Sequence, residues 1–258
     1  GIYKACGNKF YLSCGSYLID GQKYKYDKRM FKKQNLLYNL AKENSKILEI
    51  GVYMGHSILI MLTSNPKLKI TGLDIDKRFA PKAINYLKKT FTDSKLNLIL
   101  GDSLKNLKKI NTDYDLYHID GDHRPIKIYK EILACIELHK KKKIKILFDD
   151  VEMMKDVEKL LFSSFEIKRS IKPKCIFRNL YVEIELNEKS IKKFKRSFFF
   201  LLLKHFIISL APFYVKKFCR LILKIFLGEK ICKIIGSFLS KKTKSNNLQK
   251  LGRKLENI

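Results

Sequence analysis

The chain predicts an α/β architecture: a Rossmann-like, doubly wound sheet of seven strands followed by a helical C-terminal extension. Three observations carry this expectation. From Lys46 onward, short runs rich in Ile and Leu alternate with helical patterns, the signature of a parallel sheet covered on both faces. A glycine-containing turn, Gly51 to Gly55, follows the first run, and acidic or small polar residues recur where later runs end. With 258 residues, 46% hydrophobic, 31% charged and only 5 prolines, the chain suits one globular domain with an appendage.

Taken in order, residues 1–28 are rich in Tyr, Gly and Ser and read as a lid or substrate-side extension. A helix is expected from Arg29 to Glu43. Strands follow at Lys46 to Ile50, Lys69 to Asp74, Leu96 to Leu100, Tyr114 to Asp120 and Lys143 to Asp149. The helices between and after them are placed at Ser57 to Thr63, Ala80 to Thr92, Leu104 to Lys109, Ile126 to Lys140 and Met153 to Leu161. Two more strands, Phe165 to Ser170 and Leu180 to Leu186, complete seven and close a domain over residues 29–188. Right-handed crossovers wind such a chain into a doubly wound sheet, with ligands collecting beyond the carboxyl ends of the strands. Glu49 and Gly51, Asp74 and Asp76, Gly101 to Ser103, Asp120 to His123, and Asp149 with Asp150 all fall there, which points to one shared site.

In ILEIGVYMGHS the first strand ends in Glu49 and turns through Gly51 and Gly55 into a helix. Glycine permits the tight turn and close approach of a ligand, and the helix start offers free N–H groups. The dinucleotide fingerprint is not met, because Tyr53 and His56 stand where it needs glycines, which argues against a nicotinamide cofactor. Asp74 ends the second strand, where a carboxylate can accept hydrogen bonds from ribose hydroxyls. Asp102 and Ser103 close the third. Asp120, Asp122 and His123 can equally be read as a capped loop ahead of Pro125 and the following helix. Asp113, Asp115 and Asp76 read as solvated turn residues, and His118, inside a strand, as structural.

The order ExGxxxGxS, LDID, GDS, HIDGDH and FDD resembles the metal-dependent class I O-methyltransferases, most closely methyltransferase domain family 24, the macrocin O-methyltransferase and cephalosporin hydroxylase relatives. The resemblance covers Lys46 to Phe162. It implies S-adenosylmethionine as cofactor, with Glu49 and Gly51 at the methionine end, Asp74 at the ribose, Asp102 with Ser103 at the adenine, and Gly55 and Ser57 also among the cofactor-binding residues. It further implies Asp120, Asp149 and Asp150 as ligands of a divalent metal and His123 as general base. The loop Val52-Tyr53-Met54 is bulkier than the commonest methyltransferase loop. Three carboxylates without cysteine make a hard oxygen site suited to Mg²⁺, and a metal on the acceptor hydroxyl would lower its pKa while a base takes the proton. Asp149 is the safer ligand of its pair, since strand neighbours face opposite ways unless the strand has ended.

The formal charge is +29, and residues 189–258 hold 18 of the 54 basic but only 2 of the 25 acidic side chains. A general lysine bias accounts for much of the excess elsewhere. Ser197 to Val215 approaches the length of a membrane span, but Lys204 and His205 interrupt it and Pro212 follows, an expensive arrangement at mid-bilayer. Phe213 to Leu227 places Lys216, Arg220 and Lys224 at helical spacing between apolar residues, which fits an amphipathic helix on an anionic membrane surface through residues 197–239. Helices packed on the core or on a second subunit of a homo-oligomer fit equally. Nucleic acid comes last, because cations interleaved with exposed stacking aromatics are lacking.

The six cysteines show no zinc-like spacing, as expected of a reduced, cytosolic chain peripheral to the inner membrane face. The N-terminus lacks the apolar core of a signal peptide, and the missing initiator Met points to a processed or incomplete start. The leading expectation is a Mg²⁺-assisted O-methyltransferase acting on a hydroxyl of a small molecule or saccharide. The alternatives are an RNA methyltransferase and a non-catalytic, membrane-associated protein with the same fold.

Overall fold

The computed structural model describes residues 1–200, 202 and 203. The amphipathic stretch at 213–227, most of the membrane-surface segment at 197–239, Cys219, Cys232 and the polar tail at 240–249 lie outside the described residues. No helix among the described residues is long and apolar enough to cross a membrane. Cys6, Cys14, Cys135 and Cys175 are free thiols.

Seven strands form one sheet: β1 (Lys46–Ile50), β2 (Lys69–Asp74), β3 (Lys95–Leu100), β4 (Leu116–Ile119), β5 (Lys143–Phe148), β6 (Glu166–Ile171) and β7 (Leu180–Glu185). Their spatial order is β3-β2-β1-β4-β5-β7-β6. Strands β1 to β5 are mutually parallel, whereas β7 runs antiparallel between β5 and β6. The chain order reverses between β1 and β4, so the switch point where doubly wound sheets bind ligands lies there. In that register Glu49 pairs with Gly72 on one side and His118 on the other. The central strands β1, β4 and β5 bury nearly every side chain, as Ile47, Leu48, Leu116, Ile146, Leu147 and Phe148 show, because helices cover both faces.

The helices are α1 (Ile2–Ala5), α2 (Phe31–Lys42), α3 (His56–Ser64), α4 (Ala80–Thr90), α5 (Ser103–Leu107), α6 (Pro125–Leu138) and α7 (Lys155–Ser164). Proline in the first turn starts α4 and α6, where its missing N–H costs nothing. Two expected helices begin differently. A 3-10 turn at Lys28–Met30, capped by the Asp27 side chain on the Arg29 N–H, precedes α2. Another at Val151–Met153 follows β5 because Asp150 adopts a left-handed conformation at φ +48°, and it delays α7 to Lys155. Residues 188–198 are helical, and Phe194 and Phe198 pack on Tyr129 of α6.

The first 28 residues fold onto the carboxyl ends of the strands. Tyr17 and Ile19 are buried, an isolated bridge joins Ile19 to Tyr26, and the Tyr11 backbone N–H donates to the Tyr53 hydroxyl at 2.7 Å. Three carboxylates expected to be solvated are instead engaged. Asp76 accepts from the Tyr11 hydroxyl and the Phe79 N–H, Asp113 lies 2.8 Å from His139 Nδ1, and Asp115 accepts from the Lys46 N–H and pairs with Lys141.

Candidate active site

Along the carboxyl ends of β1 to β5 runs a cavity of about 800 Å³, lined among others by Ser103 and Glu131, Gly51, and Lys33, Asp120 and Asp149. Its floor is the turn after β1. Gly51 has φ +93°, and a Cβ there would come within 2.0 Å of the Asp120 carbonyl oxygen. Only glycine lets the β1 and β4 loops meet so closely. Asp74 holds this turn from the next strand: Oδ2 accepts the Val52 and Tyr53 N–H groups at 2.8 and 2.6 Å, and Oδ1 accepts the Asp76 N–H at 2.6 Å. A carboxylate with three backbone donors still has a free lone-pair direction for a ribose hydroxyl.

Glu49 and Gly55 stand behind the cavity wall and do not line it. Glu49 is fully buried, accepting from the Ser57 hydroxyl and from His118 Nδ1 at 3.0 Å, while its Oε2 has no partner among the described residues. Gly55, at φ +67°, is the N-cap of α3 and faces Leu87 and Ala83 of α4. Ser57 does reach the cavity. His118 Nε2 continues to the Tyr17 hydroxyl at 3.0 Å, so this structural histidine belongs to a buried polar chain, Ser57–Glu49–His118–Tyr17. His56 beside it bonds Ser16 Oγ at 2.6 Å and the Tyr24 hydroxyl at 2.8 Å, and burial lowers it to about 4.

At the β3 end, Asp102 caps α5 through the Lys105 N–H and pairs with Lys127 Nζ at 2.7 Å; the Lys127 hydrogen bond holds its carboxyl below the usual range. Ser103 Oγ donates to Glu131 Oε1 at 2.5 Å, and Glu131 Oε2 has no partner among the described residues. Burial pushes the Glu131 carboxyl up to about 7.

At the β4–β5 end, Asp120, Asp149 and Asp150 share one region. Burial and the Asp149 charge raise both the Asp120 and Asp150 carboxyls. His123 lines the cavity with Nε2 3.5 Å from Asp150 Oδ2, and Asp122 is occupied by Arg124. Here the expected magnesium site must be redrawn. Among the described residues no group of three His, Cys, Asp or Glu side chains is placed to hold a metal ion. The physical reason is Lys33 of α2, whose Nζ sits 2.7 Å from each oxygen of Asp149. A magnesium ion needs carboxylate oxygens at about 2.1 Å in near-octahedral array, and the safer of the expected ligands is already taken by an ammonium. As arranged, these residues do not fit the ion.

Lys33, Tyr17, His56 and Glu131 therefore join the site without having been singled out in the sequence. The one signal that could have found Lys33 is its place on the buried stripe of α2 with Leu36, Leu37 and Leu40, where a charged residue needs a partner.

A model of the O-methyltransferase family matches residues 27–158, just over half of the chain. A caffeoyl-CoA O-methyltransferase of Stellaria longipes is 33% identical over 102 residues, 37% of this chain and 42% of that protein. Tapetum-specific methyltransferase 1 of Arabidopsis thaliana is 30% identical over 80 residues, 29% of this chain and 34% of that protein. The matches thus span less than half of these relatives' own length. Among solved structures, SAH-bound PaMTH1 of Podospora anserina has a TM-score of 0.55 at 16% identity, over 72% of this chain and 86% of that one. Cofactor-bound Rv0187 from MTB gives 0.56 at 16% identity, over 72% and 88%. At these identities the structures show the shared fold, a seven-stranded Rossmann-like methyltransferase sheet. The extent of the family match decides the assignment: this chain belongs to the O-methyltransferase family.

Proposed function

We propose that the chain transfers a methyl group from S-adenosylmethionine to a hydroxyl of a small molecule or saccharide. The observation that carries this reading is the single cavity along the strand ends, which brings the glycine turn and Glu131 into one space with His123 and Asp150. The residues fit the cofactor. Gly51 opens the backbone to a ligand, Asp74 keeps acceptor capacity for a ribose, and Glu131, whose second oxygen lacks a partner, offers an acceptor for an exocyclic amine near Asp102 and Ser103. Ser57, steadied by Glu49, faces the methionine end.

When bound, S-adenosylmethionine supplies an electrophilic methyl on a positively charged sulfur. His123, positioned by Asp150, would take the hydroxyl proton as the acceptor oxygen bonds to that methyl and the methyl–sulfur bond breaks. Asp120 and Asp149 would face the acceptor from the cavity wall, with Lys33 paired to Asp149. No step runs through a divalent ion, given the Lys33–Asp149 pair. The narrower placement near methyltransferase domain family 24 belongs to this reading too, on the strength of ILEIGVYMGHS and HIDGDH.

Calorimetric titration of S-adenosylmethionine into the purified chain tests the proposal. Micromolar binding, competed by the demethylated product, supports it; no binding to folded protein at roughly millimolar ligand ends it. We further propose an anionic membrane surface as partner of residues 197–239, supported by the exposed Phe199, Phe200 and Leu203 and the basic excess. Flotation with phosphatidylserine vesicles checks this, and recovery of all protein in the unbound fraction would refute it.

A further inference from the structure

Lysines 32 and 33 are adjacent on α2, yet Lys32 is exposed while Lys33 is only 1% exposed. Helical geometry puts Lys33 on the same stripe as Leu36, Leu37 and Leu40, so its charge enters the interior on a largely apolar face. A buried ammonium is tolerated only with an anion in hydrogen-bonding contact, and Lys33 has both Asp149 oxygens at 2.7 Å. The side chain is also fixed from other directions. Its Nζ lies 4.4 Å from the centroid of the Tyr17 ring, and the Asn179 amide donates to the Lys33 carbonyl at 3.3 Å and reaches the Tyr17 hydroxyl at 3.4 Å.

Three neighbouring carboxylates repel one another unless a cation lies among them. Two cations could serve, an ion from solution or one carried by the chain, and both would need the oxygens of Asp149. We infer that Lys33 is the resident cation of this active site, standing where a divalent metal would otherwise bind, so that the Asp120, Asp149 and Asp150 cluster works without one. The inference rests on the methyl-transfer reading for what the cluster does, and on the Lys33–Asp149 contact for how its charge is balanced. An ammonium, unlike a metal ion, cannot coordinate the acceptor oxygen directly, so deprotonation of the acceptor falls to His123 rather than to Lewis-acid polarisation. It also cannot be stripped by a chelator.

Paramagnetic resonance of Mn²⁺ added to the full chain tests this, since bound Mn²⁺ loses its free-ion signal. The wild type is expected to leave Mn²⁺ free up to about 1 mM, far above the range of a dedicated carboxylate site. Lys33→Met should expose the carboxylates and bind one Mn²⁺ per chain at least roughly tenfold more tightly, and the added change Asp149→Asn should abolish that binding. A stoichiometric Mn²⁺ site in the wild type that Asp149→Asn removes would overturn the inference. So would a folded Lys33→Met chain that binds no Mn²⁺. If Lys33→Met does not fold, the wild-type titration alone decides. Titration of S-adenosylmethionine into the same samples separates the two readings: a wild type that binds neither ligand sinks methyl transfer and leaves the Lys33 pairing intact.

Discussion

The two ends of the cavity treat their carboxylates in opposite ways. Beyond β2, Asp74 is surrounded by the backbone N–H groups of Val52, Tyr53 and Asp76, all neutral and all within a short reach of chain. Beyond β4 and β5, Asp120, Asp149 and Asp150 face each other and one ammonium, Lys33, contributed by a helix 116 residues away in sequence from Asp149. Neutral donors position a charge without opposing one, so the first end shapes a turn. At the second end like charges are held together against their repulsion, which is the pattern of a site that handles charge or protons.

The largest effect should come from removing Asp149, the anion that holds Lys33 through both carboxylate oxygens. Asp149→Ala leaves a buried ammonium facing Asp120 and Asp150 at greater distance, and we expect a loss of about 4 kcal/mol in denaturant unfolding. The pair Asp149→Leu with Lys33→Met, which removes both charges, should recover most of that loss. If Asp149→Ala costs no more than an exposed substitution, the two ends are alike and the contrast fails.

Glu131 sharpens the comparison because it lies beyond β3, against Ser103, yet behaves like the carboxylates of the other end. Its folded carboxyl is raised from 4.5 to about 7, chiefly by burial. Between those values the folded chain binds more protons than the unfolded one, so the Glu131 contribution to stability is full below about 4.5, falls as pH rises, and is lost above about 7. The magnitude is about 3 kcal/mol across that window. Glu131→Gln, which keeps the acceptor for Ser103 but cannot ionise, should flatten this part of the pH profile of thermal unfolding; an unchanged profile would place the titration elsewhere.

Legibility in the sequence divides along the same line. Strand β1 falls where Lys46 to Ile50 predict it, and β2 ends on Asp74 as expected, because runs of Ile and Leu of strand length between turn residues leave little choice once both faces are covered. Asp120, Asp149 and Asp150 were visible as acids at strand ends. What joins them was not. Lys33 is one lysine in a chain with 54 basic residues, and its inward turn depends on the packing of α2. Tyr17 comes from a segment without periodicity, and Glu131 sits in KEILACIEL, where a glutamate reads as solvent-facing until α5 places Ser103 against it. Glu49 shows the converse: its position near the end of the first strand was plain, but its burial behind the cavity depends on His118, which the sheet register supplies, and on Ser57 of α3.

The smallest effect should be at Asp74, and its kind matters more than its size. Asp74→Ala removes two charge-assisted hydrogen bonds from the turn after β1 and a third from the Asp76 N–H, yet Val52, Tyr53 and position 74 line an open cavity where water can replace the carboxylate. Solvent access limits the cost to about 2 kcal/mol, below that of Asp149→Ala, which leaves a charge rather than amides behind. Tyr53 has φ +47°, a region unfavourable for a non-glycine residue, and without Asp74 its backbone N–H loses the carboxylate that fixes it, so the turn should relax. The measurement is a pair of titrations: modestly lower stability with S-adenosylmethionine affinity reduced by more than tenfold, about 1.4 kcal/mol, is the expected outcome for a residue that both shapes the turn and meets the ribose. Full affinity in Asp74→Ala would confine Asp74 to the turn and move ribose recognition to another group lining the cavity.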